Sequence, residues 1–172
     1  MNTRFEREHL KSDLVLPWFI VGMMGLMLAA YLIVCHTLGE QLQQPLPETQ
    51  RVLVRTLFYA MAIVTLPLTN LIRHIQLRLN QTMPRSNKAA PFDRTQDRYR
   101  KDAKRRYLAT VIVSMSLVEV IGAFGLVMFV LGDGFNTLYI FTGLSALGLF
   151  LYRPKLDEYV EIIDAIAAQQ HE

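Results

Sequence analysis

Four long apolar runs constrain this chain more than any other feature of its sequence. A helix that spans ~30 Å of hydrocarbon needs about 20 apolar residues, with a lower limit near 17. The first and third runs exceed that length, and the second and fourth come close to it. Helices that pack in soluble proteins keep a polar face, and these runs have almost none. We therefore predict an all-α, polytopic integral membrane protein with four transmembrane helices, at about 15–38, 55–73, 106–131 and 136–152.

Composition supports this fold class. Of the 172 residues, 52% are hydrophobic and 19% are charged. A soluble domain usually has a smaller apolar share and a larger charged share. The chain contains one cysteine, Cys35, which excludes an internal disulfide framework and a zinc cluster built from cysteines.

Positive charge is concentrated between the second and third predicted spans. The stretch 73–106 holds 11 of the 18 Lys and Arg residues, and such residues are retained on the cytoplasmic side of a membrane. We therefore predict that the loop 74–105 and both termini are cytoplasmic, in a multi-pass protein of the bacterial inner (plasma) membrane. Residues 1–155 form the predicted transmembrane domain, and residues 156–172 form a cytoplasmic tail.

The basic loop allows two interpretations. Clustered basic residues beside a membrane bind anionic lipid headgroups, and they also suit an acidic partner. The simpler interpretation is that the charges only set the topology. Aromatic residues that could stack on bases are nearly absent from the loop, so we expect no binding to nucleic acid. The candidate residues for lipid or partner binding are Arg98, Arg100, Lys101, Lys104, Arg105 and Arg106.

The tail has the pattern of an amphipathic helix. Apolar residues recur at helical spacing, and four acidic residues fill the other side. An acidic face is unsuited to anionic lipid but suits docking on the basic loop or on another subunit. A cap that packs on its own chain is the alternative. Ile163 is the candidate contact residue on the apolar stripe.

Small residues mark the predicted packing faces of three spans. Such residues let membrane helices approach closely, and close packing holds these helices together. The candidates are Gly22, Gly25 and Ala29 in the first span, Gly122 and Gly125 in the third, and Gly143 and Gly148 in the fourth.

No catalytic pattern is present. The sequence lacks a zinc-binding HExxH pair, a glycine-rich phosphate loop and a nucleophile elbow. His36 and His74 are predicted at opposite membrane faces and therefore do not share a metal ion. We expect no enzyme activity, no cofactor and no metal site.

Glu119 is an acidic residue in the middle of the third run. At 1.5 Å per residue it lies about 20 Å from Arg106, near the predicted midplane. Its helical neighbours include Ser116 and Gly122, so we expect it to face a packed interior. Intramembrane acids are costly and mark functional sites by default. Hydrocarbon disfavours the charged form, so we expect a protonated acid at neutral pH.

Three roles for Glu119 remain open from the sequence. A neutral acid could tie two helices by hydrogen bonds, with Ser145 or Thr65 as candidate partners. It could instead bind a proton or a cation, or it could contact a partner subunit. The candidate site for an ion or proton therefore comprises Glu119, Ser116, Ser145 and Thr65.

Residues 119–131, EVIGAFGLVMFVL, resemble the ion-binding helix of the proteolipid subunits of rotary ATPases of the V and F types. In that pattern Glu119 matches the ion-carrying acid, and Phe124, Gly125 and Leu126 match the motif that follows it. The resemblance implies a proton or cation at Glu119. The chain as a whole resembles small bacterial membrane proteins with four helices.

Two functions follow as hypotheses. The first is a non-enzymatic accessory or assembly subunit of a larger membrane complex, or a homo-oligomer, whose partners are the lipid bilayer and other membrane subunits or further copies of itself. The second is a proteolipid-like protein that translocates protons or cations through Glu119.

Overall fold

The computed structural model describes residues 12–82 and 96–168, and within these residues it contains five helices and no strand. The all-helical class predicted from the sequence is confirmed. The helices are α1 (Val15–Leu42), α2 (Glu48–Thr82), α3 (Gln96–Val130), α4 (Phe135–Leu151) and α5 (Leu156–Ala168).

Three helices, α1, α2 and α3, are long and apolar enough to cross a membrane. The fourth predicted span, 136–152, corresponds to α4, which has the predicted length of 17 residues and is at the lower limit for crossing a membrane. It qualifies only together with α5, from which it is bent by 46°, so the described residues contain three helices that qualify, or four if this bent pair counts as one. α4 ends at Leu151, and Tyr152 is its C-cap residue. The segment that follows contains Pro154, which has no N–H to continue the helix.

Two helices extend well beyond their apolar runs. The predicted second span, 55–73, lies inside a helix of 35 residues, and so does most of the third, 106–131. Much of the predicted loop 74–105 is therefore helical at its two edges, where polar and charged residues continue the helices. We call the end where α2 ends and α3 begins the basic end of the bundle.

α3 is the central helix. It packs against α1, α2, α4 and α5. Half of its most apolar stretch is buried, against 11% in α1 and in α2. The outer faces of α1 and α2 therefore form a broad apolar surface that the described residues do not cover.

One face of α1 packs on α3 with alternating steps of three and four residues. This spacing is the seam of a left-handed coiled coil, whose helix axes lie about 8–10 Å apart and are separated by side chains. The seam residues are buried or half-buried: Leu14, Pro17, Val21, Met24, Leu28, Tyr31 and Cys35.

The predicted packing residues of α1 lie off this seam. A Cβ atom added at Gly22 or Gly25 would meet nothing within 4 Å, and Ala29 is exposed. Gly143 on α4 also faces open space. Among the described residues, these four make no close helix contact, and in α1 bulkier side chains fill the seam instead.

The other predicted glycines do bring helices together. A Cβ at Gly148 would lie 2.6 Å from Val118, and one at Gly125 would lie 2.9 Å from Phe141. A Cβ at Gly122 would collide with Leu28 of α1. α3 and α4 thus approach closely where their glycines lie, as small residues permit.

The end opposite the basic end is closed by hydrogen bonds between two connections. The Gln44 N–H donates to the Val130 carbonyl at 2.7 Å. Arg51 donates to the Gly132 carbonyl at 2.8 Å. Gly132 has φ +88°, where other residues are strained. The connection between α1 and α2 therefore lies directly on the turn between α3 and α4.

The tail helix α5 folds back on its own chain. Tyr159, Ile162 and Ile166 are buried in the same core cluster as the start of α3. Ile163, the predicted contact residue, is only half-buried and packs against the edge of that cluster. Of the arrangements left open by the sequence, the structure contains the one in which the tail caps its own bundle.

Candidate functional site

Glu119 lies on the flank of α3 that faces α1. The residue is 8% exposed, and neither carboxyl oxygen has a hydrogen-bond partner among the described residues. Its predicted burial is therefore found, but the predicted hydrogen bonds to a second helix are not.

The predicted partners of Glu119 are engaged or turned elsewhere. The Ser145 hydroxyl donates to the Val118 carbonyl at 2.9 Å. The Thr65 hydroxyl donates to the Met61 carbonyl of its own helix at 2.7 Å. Ser116 is exposed. The structure does not bring these four candidate residues together into one site.

Tyr31 is the polar neighbour that the sequence analysis missed. Its side chain and the Glu119 carboxyl are close enough to interact electrostatically, although they do not meet with the geometry of a hydrogen bond. The sequence contained one indication of this contact. Tyr31 lies at heptad spacing from Leu28 and Cys35, and its hydroxyl, within an apolar run, needs a polar partner.

The Glu119 carboxyl lies beside an exposed face of the bundle. On α3, Ser116 and Val120 are the adjacent residues of that face, and Val120 is 44% exposed. Both carboxyl oxygens are themselves enclosed, so the acid lies just beneath this exposed face and is not open to it.

A second group of polar residues joins three helices at the basic end. Asp13, just before α1, accepts hydrogen bonds from Arg100 at 2.7 Å, from Lys104 at 3.2 Å and from the Tyr159 hydroxyl at 3.1 Å. Burial raises the pKa of Asp13, but these hydrogen bonds, with Arg100 first, outweigh it and leave the pKa below its usual value. Burial and the Asp13 charge raise the pKa of Tyr159.

Arg73 and Tyr107 attach the start of α5 to α2 and α3. The buried Arg73 side chain donates to Glu158 at 2.6 Å and to the Tyr152 carbonyl at 2.6 Å. The Tyr107 hydroxyl donates to the Lys155 carbonyl at 3.0 Å.

Two of the predicted basic residues, Arg100 and Lys104, hold the bundle together through their ion pairs with Asp13. They therefore do not form a free basic patch on the surface.

Two of the remaining basic residues, Arg105 and Arg106, line a cleft between α2 and α3. Its volume is about 480 Å³. Arg106 donates to the Asn80 carbonyl at 3.1 Å, and Asn80 donates to the Thr110 hydroxyl at 2.9 Å. Lys101 is exposed and lies outside the cleft, and the side chain of Arg98 lies outside the described residues. The cleft is lined by Gln76, Leu79, Asn80, Asp102, Arg105, Arg106, Ala109 and Thr110.

Among the described residues, no cluster of His, Cys, Asp and Glu has the arrangement of a metal site. The His36 ring contacts the Tyr139 hydroxyl at 2.9 Å at the end of the bundle away from the basic end. His74 lies in the last third of α2, toward the basic end. The two histidines thus belong to separate regions of the bundle.

No family model, curated protein or solved structure matches the chain. The class is therefore defined by the fold alone: an all-helical bundle with three to four helices long and apolar enough to span a membrane.

Proposed function

We propose that this chain is a non-enzymatic, multi-pass protein of the bacterial inner (plasma) membrane that acts as a subunit of a larger membrane assembly, either with other subunits or with copies of itself. The observation that carries the proposal is the carboxyl of Glu119, which is buried, unpartnered within the described chain and adjacent to an exposed face. A neighbouring subunit supplies the missing hydrogen-bond donor.

The energetic argument rests on the cost of an unmade hydrogen bond. A buried polar group without a partner costs about 1–3 kcal/mol, and more when it is charged. Residues of this kind within membrane spans normally face another helix or a water-filled cavity. In this chain the carboxyl is enclosed just beneath the face formed by Ser116 and Val120, so a second surface placed on that face would meet it after a small turn of the Glu119 side chain.

The membrane placement is supported by the uncovered apolar residues of α1 and α2. Phe19, Leu26 and Ile33 on α1, and Leu53 and Ile63 on α2, are each more than half exposed. Apolar patches far larger than those of soluble monomers mark a membrane or an interface. The basic end faces the cytoplasm in this proposal, since Lys and Arg are retained there.

The test is the native mass after mild solubilisation. Glu119→Ala removes the acceptor and should shift the protein from its assembly to the mass of the single chain. Glu119→Gln keeps a carbonyl acceptor and should retain the assembly. Ser114→Ala is the matched control, because the Ser114 hydroxyl is also buried on α3 but already donates to the Thr110 carbonyl at 2.8 Å, and this variant should leave the native mass unchanged. An unchanged native mass for Glu119→Ala would contradict the proposal.

A proteolipid-like proton or cation carrier is the second candidate. It is favoured by the two carboxyl oxygens of Glu119, which lie beside Tyr31 and accept no hydrogen bond from the described residues, and are therefore available to a proton or an ion. It is also favoured by the resemblance of residues 119–131 to the ion-binding helix of the proteolipid subunits.

A carbodiimide reacts with protonated acids in apolar surroundings. In this case labelling of Glu119 should be fast at pH 6 and slow as the pH rises to 9, and Glu119→Gln should abolish function while the assembly persists. Labelling that does not change with pH would exclude an exchangeable proton.

A further inference from the structure

The cleft between α2 and α3 carries groups of both charges on its walls. Arg105 and Asp102 are both on α3 and both line it. Arg106, whose guanidinium donates to the Asn80 carbonyl, forms part of the same wall. The Gln76 side-chain oxygen is buried and has no hydrogen-bond partner among the described residues. The cleft therefore offers a cationic donor, Arg105, and a carboxylate acceptor, Asp102, within about 480 Å³, a volume in the usual range for small-molecule sites.

The cleft is also continuous with apolar surface. Leu79 lines the cleft and is 43% exposed, and Ile75 and Ile112 lie about one helical turn farther toward the middle of the bundle and are also exposed. A ligand with a polar head and a hydrocarbon chain would meet matching surroundings in each part. A free inorganic anion would use only the arginines, and it would be repelled by Asp102.

We propose that this cleft binds the headgroup of a zwitterionic phospholipid that carries a primary ammonium group, such as phosphatidylethanolamine. Arg105 pairs with the lipid phosphate, and Asp102 accepts a hydrogen bond from the ammonium. Basic pockets between membrane helices at the cytoplasmic side bind lipid headgroups, and the carboxylate of Asp102 adds selection for a positive group. The inference rests on the membrane placement proposed above and is independent of the role of Glu119.

The experiment is native mass spectrometry of the full chain after delipidation and addition of one lipid at a time. Phosphatidylethanolamine should be retained more than phosphatidylglycerol, which lacks the ammonium, and more than phosphatidylcholine, whose methylated nitrogen donates no N–H. All three lipids carry the same acyl chains. Equal retention of the three, or a preference for phosphatidylglycerol, would overturn the proposal.

Two variants separate the roles of the cleft residues. Arg105→Gln should lower retention of phosphatidylethanolamine about fivefold or more, as expected for the loss of a charge-assisted hydrogen bond. Lys101→Gln is the matched control, since it removes the same charge one turn away and outside the cleft. Equal losses in these two variants would reduce the site to general attraction by positive charge and would overturn it.

Asp102→Asn tests the selection independently. It should lower the retention of phosphatidylethanolamine more than that of phosphatidylcholine, because only the primary ammonium loses a charge-assisted hydrogen bond, so the difference between the two lipids should shrink. Soluble phosphoethanolamine distinguishes a lipid from a free headgroup. Competition by phosphoethanolamine at the same concentration as the lipid would show that the apolar part contributes nothing, and it would contradict the lipid assignment.

Discussion

Asp13 connects the start of α1 with α3 and α5 through one carboxylate. Arg100 and Lys104 form ion pairs with it at 2.7 and 3.2 Å, and the Tyr159 hydroxyl donates a third hydrogen bond. Exposed ion pairs contribute little to stability, but this carboxylate is largely covered and accepts donors from two elements. We therefore expect a measurable contribution to stability that depends on pH.

The folded protein holds the pKa of Asp13 below its value of about 3.9 in an unfolded chain. The stabilisation is therefore fully present above that pH, and it is lost as the pH falls through the folded-state pKa. At pH 7 in detergent, Asp13→Asn should lower the melting temperature by about 2–4 °C, the shift expected for ~1 kcal/mol at this chain length. The difference from the unmodified protein should shrink steadily below about pH 4.

Asp164→Asn is the control for that measurement, because Asp164 is exposed on α5. It should change the melting temperature little at any pH. A loss for Asp13→Asn that persisted unchanged at pH 2.5 would mean that the carboxylate charge is not the cause.

Single residues differ in how far the sequence could predict their surroundings. Glu119 was expected to be buried because an acid within an apolar run is costly when it faces lipid and normally faces other helices. Its neighbour Tyr31 was missed, since α1 is apolar on all sides and its sequence does not show which side meets α3. Asp13 was missed for a related reason: its three donors come from segments far apart in the chain.

Among the elements, α5 shows that a sequence pattern can predict an amphipathic helix but not which of two adjacent residues is buried. The amphipathic helix was predicted, and its position against its own chain was one of the alternatives. The fully buried residue is Ile162, and the neighbouring Ile163 is only half-buried. A shift of one residue rotates a helix by about 100°, so the pattern alone could not decide between them.

Ile162→Asp should release α5 from the bundle. A carboxylate at a fully buried position loses its water without gaining a partner, and we expect a destabilisation of about 3 kcal/mol. The released segment should become sensitive to trypsin after Lys155, because cleavage requires local unfolding. Cleavage is followed in detergent at neutral pH.

Ile163→Asp is the matched variant at the next position. Its side chain can turn toward solvent, so cleavage should remain several-fold slower than in Ile162→Asp. Equal cleavage of the two variants would contradict the helix orientation described here.

The helix packing of α1 shows a second difference between pattern and structure. Small residues at 22, 25 and 29 were expected to pack, but the seam consists of larger residues at heptad spacing. In α3 and α4 the same prediction, that small residues mark close helix contacts, is met at Gly122, Gly125 and Gly148. A glycine allows a close approach but does not attract one, so the pattern predicts contact only where the opposing surface also fits.

At the scale of the whole molecule, orientation in the membrane is the property that charge predicts. Lys101 lies at the basic end and Asn136 lies at the other end, and both are exposed. Cys35 is fully buried, so the native thiol should stay silent in labelling. Two substitutions to cysteine can therefore report the two ends separately.

In intact spheroplasts a membrane-impermeant maleimide should label Asn136→Cys and leave Lys101→Cys unlabelled. In sealed inverted vesicles the result should reverse, because the basic end faces the cytoplasm in the proposed topology. The opposite pattern would reverse the proposed topology. Labelling of both positions from one side would instead place both ends in the same compartment.

The central position of α3 has a consequence for the order of events during synthesis. α1 and α2 leave the ribosome first, yet they hardly touch each other and share α3 as their main neighbour. Helices first insert as separate units and associate afterwards. In the proposed membrane placement, α1 and α2 therefore remain two independent segments in the lipid, and the bundle closes only after translation has passed residue 130.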